Sequence, residues 1–198
     1  MVPMTARFLR VGRRPPRRLS ALPVLVLLLL AGPAAGLDTV WLVRHAEKAE
    51  PWPADRDLDA LRPLSAEGTA RAAALADRLK EAGIAGVYTS RTTRTIATGL
   101  PLATHLQVPL VADDATTRPG ELSPFLARLR ERHAGDRAVL IVGHSNTIPQ
   151  ILAHFGVTAD CFGRLGIKES SSGPEAEGYE GLWKVDLAKK GCAAVARN

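Results

Sequence analysis

The sequence predicts an α/β fold, a single three-layer domain whose mainly parallel sheet carries helices on both faces. Short apolar runs alternate with segments of helical periodicity along residues 37–198, which is the pattern of parallel strands linked by helices. Most of these runs are apolar throughout, as strands buried on both faces are. No internal repeat or linker interrupts the alternation, so residues 37–198 are expected to form one domain.

Each element follows from a local pattern of residues. Short apolar runs predict five strands, at residues 39–43, 84–89, 108–111, 138–142 and 182–187. Helical spacing of apolar residues predicts four helices, at residues 66–82, at 92–105, around residues 122–129, and from a cap at Asn146 or Thr147 to about residue 155. The third helix is expected to begin with Ser123 as its N-cap and Pro124 in the first helical position. Residues 50–63 and 166–180 are rich in turn-forming or charged residues and are predicted as loops.

Residues 1–36 have the layout of a secretory signal peptide. Six arginines precede the apolar run Leu22 to Ala31, and small residues follow, with Ala34 and Gly36 placed for cleavage before Leu37. We therefore expect an exported protein, periplasmic or secreted, by a general or a twin-arginine route. The alternative is an uncleaved inner-membrane anchor, in which case the leader is the membrane contact.

The positive charge of the chain lies in this leader. The formal net charge is +6, and the six arginines of residues 1–36 account for all of it, because residues 37–198 hold 20 basic and 20 acidic side chains. A neutral domain gives no support to binding of nucleic acid or of an anionic membrane. The sequence does not indicate an oligomeric state.

The two cysteines, Cys161 and Cys192, are too few for a disulfide scaffold and are wrongly spaced for a zinc site. In an oxidising compartment they could pair. They could equally be two separate thiols, and the sequence leaves both possibilities open.

Three polar clusters directly follow predicted strands: Arg44–Lys48, Ser90–Arg94 and Gly143–Asn146. The carboxyl ends of parallel strands meet at one edge of a sheet, so these clusters are expected to converge there. Arginine binds phosphate in a planar, bidentate manner, and the helix after Asn146 adds its positive end. A neutral imidazole among guanidinium groups is a suitable nucleophile toward phosphorus. The clusters therefore predict phosphoryl transfer.

The same clusters resemble the motifs of the histidine phosphatase superfamily, which has the phosphoglycerate-mutase-like fold. The similarity spans roughly residues 39–188 and is greatest to small bacterial phosphatases, including phosphohistidine phosphatases and exported relatives. Four segments match the superfamily's motifs in order and spacing: Leu42-Val43-Arg44-His45-Ala46-Glu47, Leu64-Ser65-Ala66-Glu67-Gly68, Ser90 through Arg94 to Thr98, and Val142-Gly143-His144-Ser145-Asn146. The resemblance implies that residues 37–198 are a histidine phosphatase domain.

The resemblance also assigns roles to individual residues. His45 would attack the phosphorus and become phosphohistidine, while Arg44, Arg94 and His144 would hold the phosphoryl oxygens. It implies a metal-independent phosphatase without a cofactor, acting on a phosphomonoester or phosphoramidate of a small molecule or a phosphoprotein. Further substrate contacts are expected from Ser145, Asn146 and Arg91, although Arg91 departs from the proline usual in many relatives.

A general acid is expected near the third strand, where many relatives carry one and some small phosphatases do not. An alkoxide leaving group needs a proton, which a carboxylic acid normally supplies. Glu121 is our first choice because it precedes the predicted helix start. Asp113 and Asp114 are the alternatives, and all three could instead be solvated loop acids.

Two of the three polar clusters also resemble motifs of other enzyme classes. The His45-Ala46-Glu47 sequence matches a zinc deaminase motif, but the cysteine pair that such enzymes need is absent from the sequence. Gly143 to Thr147 resembles the nucleophile elbow of an esterase, but Thr147 replaces its last glycine. The only later histidine, His154, follows nine residues on with no acid between it and Ser145. A phosphomutase of the same fold and a non-catalytic domain that binds phosphorylated ligands both stay open.

Overall fold

The computed structural model describes residues 36–198 apart from residue 55, and it confirms the α/β fold. Its main sheet has six strands in the order β3-β2-β4-β1-β7-β8. The first four in this order run parallel, whereas β7 is antiparallel to β1 and β8 is antiparallel to β7. The strands are β1 (Thr39–Arg44), β2 (Ile84–Thr89), β3 (Leu110–Ala112), β4 (Ala138–Gly143), β7 (Leu182–Asp186) and β8 (Val195–Arg197). The signal-peptide prediction falls on residues 1–35, outside the described residues, and on Gly36.

The described residues also form five α-helices. They are α1 (Arg56–Asp59), α2 (Ala66–Leu79), α3 (Thr93–Leu106), α4 (Pro119–Arg132) and α5 (Thr147–His154). Helices α2 and α3 pack on one face of the sheet and α4 and α5 on the other. Successive residues of β4 point to opposite faces. Leu140 therefore packs in the apolar core under α2 and α3, and Ile141 packs in the core under α4 and α5. This burial on both faces explains why the strand is apolar throughout.

The predicted start of α4 at Ser123 is wrong. The helix begins at Pro119 with Arg118 as its N-cap, because proline suits a first helical position and its missing N–H costs nothing there. Leu122 then lies on the same buried stripe as Phe125 and Leu126. The buried stripe agrees with the apolar spacing of the sequence, and the start of the helix is what differs.

The prediction of a loop over residues 166–180 is also wrong in part. A hairpin forms there from β5 (Ile167–Ser170) and β6 (Gly173–Ala176). Of its eight strand residues, only Ile167 and Ala176 are buried, so the sequence shows no apolar alternation. The short helix α1 within the predicted loop 50–63 and the three-residue strand β8 were missed for the same reason.

A disulfide joins Cys161 to Cys192, whose Cα atoms lie 5.6 Å apart. It links the turn that follows α5 to the turn that precedes β8, and so fastens the last strand to the domain. A cross-link closing a loop of this length stabilises a fold by about 3–4 kcal/mol by restricting the unfolded chain.

Among the helices described for residues 36–198, none has the length and apolar character needed to cross a membrane.

Candidate active site

The sheet brings the three polar clusters together, as the sequence predicted. Strands β1 and β4 are neighbours with Arg44 opposite Gly143, and β2 pairs with the other side of β4. The His45 N–H donates to the Gly143 carbonyl at 2.9 Å, which extends this pairing one residue beyond the strands. His45, Ser90 and His144 therefore emerge side by side at one edge of the sheet.

His45 is buried and held in one orientation. Its Nδ1 lies 2.7 Å from the Ala46 carbonyl oxygen, and a carbonyl can only accept, so Nδ1 carries the proton. The lone pair of the neutral ring is then on Nε2. The Ala46 N–H donates to Thr98 Oγ1 at 3.0 Å, which fixes the backbone that presents the ring. The geometry therefore leaves the Nε2 lone pair free.

The Leu64–Gly68 segment supports the turn that carries His45. The Ser65 N–H donates to the Glu47 carbonyl at 2.9 Å, and Ser65 Oγ accepts from the Gly68 N–H at 3.0 Å as the N-cap of α2. A side-chain carbon on Gly68 would lie 2.2 Å from the Glu47 oxygen, so only glycine permits this close approach. The Glu47 carboxylate itself binds Arg71, with its two oxygens 2.7 and 2.9 Å from the Arg71 Nε.

Arg44 and Arg94 each present an unpaired nitrogen in the site. Arg44 Nη1 donates to the carbonyl of Gly178 at 3.0 Å, and Arg94 Nη1 donates to the carbonyl of Asp59 at 2.6 Å. The Nε atoms of both arginines are buried and have no hydrogen-bond partner among the described residues. A buried donor without an acceptor costs about 1–3 kcal/mol. An oxyanion is the ligand that would satisfy both.

His144 is the second histidine of the site, and its ring lies edge-on to His45 with the ring centroids 5.2 Å apart. Its ring Nε2 lies 3.0 Å from Ser90 Oγ, and its backbone N–H donates to Thr147 Oγ1 at 2.8 Å. Ser90 is buried and is itself 2.9 Å from Thr95 Oγ1. Ser90 therefore orients the His144 ring, a role that sequence reasoning missed although Ser90 lies in a recognised motif.

Both histidines are neutral at neutral pH. Burial is the largest cause that lowers the pKa of His45 to about 3, and the nearby His144, Arg94 and Arg44 lower it further, against the Ala46 carbonyl contact. Burial, followed by Arg94 and Arg44, lowers the pKa of His144 to about 4. A neutral imidazole is the nucleophilic form, and the lowered pKa keeps His45 in this form over a wide pH range.

These depressed pKa values predict an acid-sensitive fold. Below pH 6.5 the unfolded chain protonates the two histidines, whereas the folded protein does so only near pH 3 to 4. The free energy of unfolding therefore falls as the pH drops through this window and is unaffected by these groups above it. Thermal denaturation at about pH 7.5 and about pH 5 should show a smaller acid-induced loss of Tm in His45→Ala than in the unchanged protein. Equal losses in the two proteins would contradict this assignment.

The other sequence-predicted contacts lie around this centre. Ser145 is half-buried and accepts from the Ala176 N–H at 2.8 Å through its carbonyl, which ties the β5–β6 hairpin to the site. Asn146 is exposed at the N-cap of α5. Arg91 is exposed and pairs with Asp114, its Nε 3.7 Å from the carboxylate. Their contact with substrate stays a prediction.

The three candidate acids lie on and before α4. Glu121 is exposed in α4, and its carboxylate accepts from Arg118 Nη1 at 3.0 Å. Asp113 Oδ1 accepts from the Ala115 N–H at 2.9 Å and so caps a turn of 3-10 helix. Asp114 pairs with Arg91, as above. None of these contacts shows which of the three acids protonates a leaving group, so that assignment stays a prediction.

Two residues at the site were missed in the sequence. Asp59 ends α1, binds Arg94, and acts to raise the pKa of His144. Tyr179 covers the Arg44 guanidinium at 4.3 Å, and its ring centroid lies 5.9 Å from that of His45. It also lines a cavity of about 190 Å³ beside Arg44, between α2 and β7. Both residues lie in segments that the sequence predicts as loops, where no motif or periodic spacing points to a functional residue.

Comparison with known families agrees with this geometry. Residues 40–116 match the sequence model of the histidine phosphatase superfamily (branch 1), and this segment includes Arg44, His45 and Arg94. Over this segment the chain is similar to the histidine phosphatase superfamily. His144 lies beyond the matched segment and is placed in the site by the fold. No curated protein sequence gives a significant match.

Solved structures of superfamily phosphatases share the fold. A protein assigned as the phosphohistidine phosphatase SixA of Agrobacterium tumefaciens has a TM-score of 0.56 at 22% identity, over 76% of this chain and 92% of its own. The protein histidine phosphatase SixA in complex with tungstate has a TM-score of 0.57 at 19% identity, over 81% and 94%. A mycobacterial glucosyl-3-phosphoglycerate phosphatase has a TM-score of 0.56 at 14% identity, over 81% and 97%. At these identities the similarity establishes the fold.

Proposed function

We propose that the protein is a phosphatase that transfers a phosphoryl group from its substrate to His45 Nε2 and then to water. One observation carries the proposal. A buried neutral histidine with a free Nε2 lies with two arginines whose buried Nε atoms lack an acceptor. A nucleophile and two oxyanion donors are the groups that phosphoryl transfer requires.

The proposed reaction has two steps. The Nε2 lone pair of His45 forms the N–P bond while the bond from phosphorus to the leaving oxygen or nitrogen breaks, and its electron pair stays on the leaving atom, which takes up a proton. Water then attacks phosphorus and gives a proton to the group that protonated the leaving atom, while the N–P bond breaks and its electron pair returns to Nε2. Arg44, Arg94 and His144 stabilise the charge on the equatorial oxygens in both steps.

The named relatives support this chemistry without fixing the substrate. SixA was solved with tungstate, a tetrahedral oxyanion of the same shape as phosphate. The relatives act, by name, on phosphohistidine and on glucosyl-3-phosphoglycerate, so one fold serves different leaving groups. We propose a phosphorylated small molecule or a phosphoprotein as the substrate here.

A phosphate-release screen tests the function. The purified protein should release phosphate from at least one phosphomonoester or phosphoramidate, with or without a chelator. Transfer to a second acceptor in place of water would indicate a phosphomutase instead. Saturable binding of a phosphorylated ligand without turnover would indicate a binding domain, and either result would contradict the proposal.

Glu121 is proposed as the proton donor to the leaving group. Glu121→Gln should slow the hydrolysis of alkyl phosphates by about a hundredfold, because an alkoxide needs a proton. Hydrolysis of p-nitrophenyl phosphate should change little, since nitrophenolate leaves without protonation. Parallel initial-rate measurements on the two substrates decide the matter. Small, equal effects would exclude Glu121 and direct attention to Asp113 and Asp114.

Export is part of the proposal. The order of charged, apolar and small residues in residues 1–36 supports it, and so does the Cys161–Cys192 disulfide, since such bonds persist in oxidising compartments. Intact-mass analysis of the secreted or periplasmic protein should give a chain that begins at Leu37. A full-length chain retained in the inner membrane would contradict cleavage.

A further inference from the structure

Asp59 makes two kinds of contact with Arg94. Its backbone carbonyl accepts from Arg94 Nη1 at 2.6 Å, and its carboxylate oxygen Oδ2 lies 3.1 Å from the same nitrogen. The other carboxylate oxygen faces Arg62, with Oδ1 3.6 Å from Nη1. The Arg94 side chain is 11% exposed and that of Asp59 is 39% exposed. The carboxylate therefore reaches from the surface onto a buried guanidinium of the active site.

These contacts determine which edge of the Arg94 guanidinium is free. A guanidinium binds an oxyanion in a bidentate manner through either its Nη1–Nη2 edge or its Nε–Nη2 edge. Asp59 occupies Nη1, whereas Nε is buried and has no hydrogen-bond partner among the described residues. The Nε–Nη2 edge is therefore the one available to a phosphoryl group.

We propose that Asp59 is a positioning residue, whose carboxylate fixes the Arg94 guanidinium so that its Nε–Nη2 edge faces the phosphoryl group at His45. This inference rests on the proposed function of the His45 site. Asp59 acts through Arg94 and does not itself touch the substrate.

The carboxylate can be changed without releasing the segment that carries it. Residues 48–64 are also held by backbone groups, since the Thr93 N–H donates to the Ala60 carbonyl at 2.9 Å and Lys48 forms a β-bridge with Leu64. The Arg62 Nε donates to the Ala49 carbonyl at 2.7 Å. Asparagine in place of Asp59 keeps the size of the side chain and the backbone carbonyl contact. Asp59→Asn thus removes the ion pair that orients Arg94 and leaves the backbone contact in place.

A positioning role and a purely electrostatic role of Asp59 predict opposite changes in oxyanion affinity for Asp59→Asn. Loss of a negative charge beside the site should by itself strengthen the binding of an oxyanion. Loss of the group that orients Arg94 should weaken it, because the bidentate edge is no longer held in place. The affinity for tungstate measures this sign directly and needs no turnover.

The experiment is a double-mutant cycle in the full-length protein. We expect Asp59→Asn to weaken tungstate binding severalfold by calorimetry and to lower kcat/KM about tenfold. The loss should be equal for p-nitrophenyl phosphate and an alkyl phosphate. In an Arg94→Ala background, Asp59→Asn should have no further effect. Glu50→Gln is the matched control, because Glu50 lies in the same segment and, among the described residues, pairs with Arg62 alone. It should change neither quantity more than about twofold.

Three results would overturn the inference. Tighter or unchanged tungstate binding in Asp59→Asn would show that the carboxylate acts by charge alone or not at all. The same loss in the Arg94→Ala background would show that it does not act through Arg94. A loss confined to alkyl phosphates would make Asp59 a proton donor. If the protein without substitutions binds tungstate but has no phosphatase activity, the proposed function is refuted. The effect of Asp59→Asn on tungstate binding can still be measured in that case.

Discussion

Alanine in place of His45 is expected to abolish phosphate release and leave the fold intact. His45 presents a free Nε2 beside Arg44 and Arg94, and without this nitrogen the proposed covalent intermediate cannot form. The ring is buried, but it contributes to neither of the two apolar cores. Initial rates with the best substrate of the screen, together with circular dichroism, measure both parts of the prediction.

His105→Ala is the matched control for this variant. His105 lies exposed in the last turn of α3, so its removal should leave both turnover and fold unchanged. Substantial activity in a folded His45→Ala protein would refute the covalent mechanism.

Arg94→Ala is expected to lower kcat/KM by on the order of a hundredfold or more, as removal of one preorganised donor to a transition-state oxyanion does. Arg44→Ala and His144→Ala should show losses of the same order for the same reason. Arg91→Ala should have a far smaller effect, because its side chain is exposed and pairs with Asp114. Steady-state kinetics on the variants tests this ranking.

The comparison of Arg94 with Arg91 also tests the motif assignment. Arg94 faces the site from the first turn of α3, whereas Arg91 precedes the helix. If Arg94→Ala left kcat/KM unchanged while Arg91→Ala lowered it strongly, the motif would have been assigned to the wrong arginine.

The central strands and the main site residues could be predicted from the sequence, because each depends on a local pattern. An apolar run such as Ala138–Val142 has few structures open to it other than a buried strand. The polar residues that follow such runs must then meet at one edge of a parallel sheet. This is why His45 and His144 could be placed together without any structural information.

The rest depends on contacts that local patterns do not encode. Asp59 matters because it meets Arg94, 35 residues away in sequence, and the chain offers Asp55 and Asp57 with the same local character. Tyr179 matters because its loop folds over Arg44. The β5–β6 hairpin is mostly exposed and pairs through its backbone. Such features follow from tertiary geometry, so composition alone described them as loops.

Direct detection of the phosphorylated residue tests the central claim most directly. The protein is mixed with an excess of its substrate and stopped within milliseconds in alkaline denaturant, because the N–P bond of phosphohistidine is labile in acid. Peptide mass spectrometry then locates any phosphoryl group. We predict a phosphoryl group on His45 that forms and decays at rates consistent with turnover. Full turnover without a phosphoenzyme, or a phosphoryl group on another residue, would contradict the account.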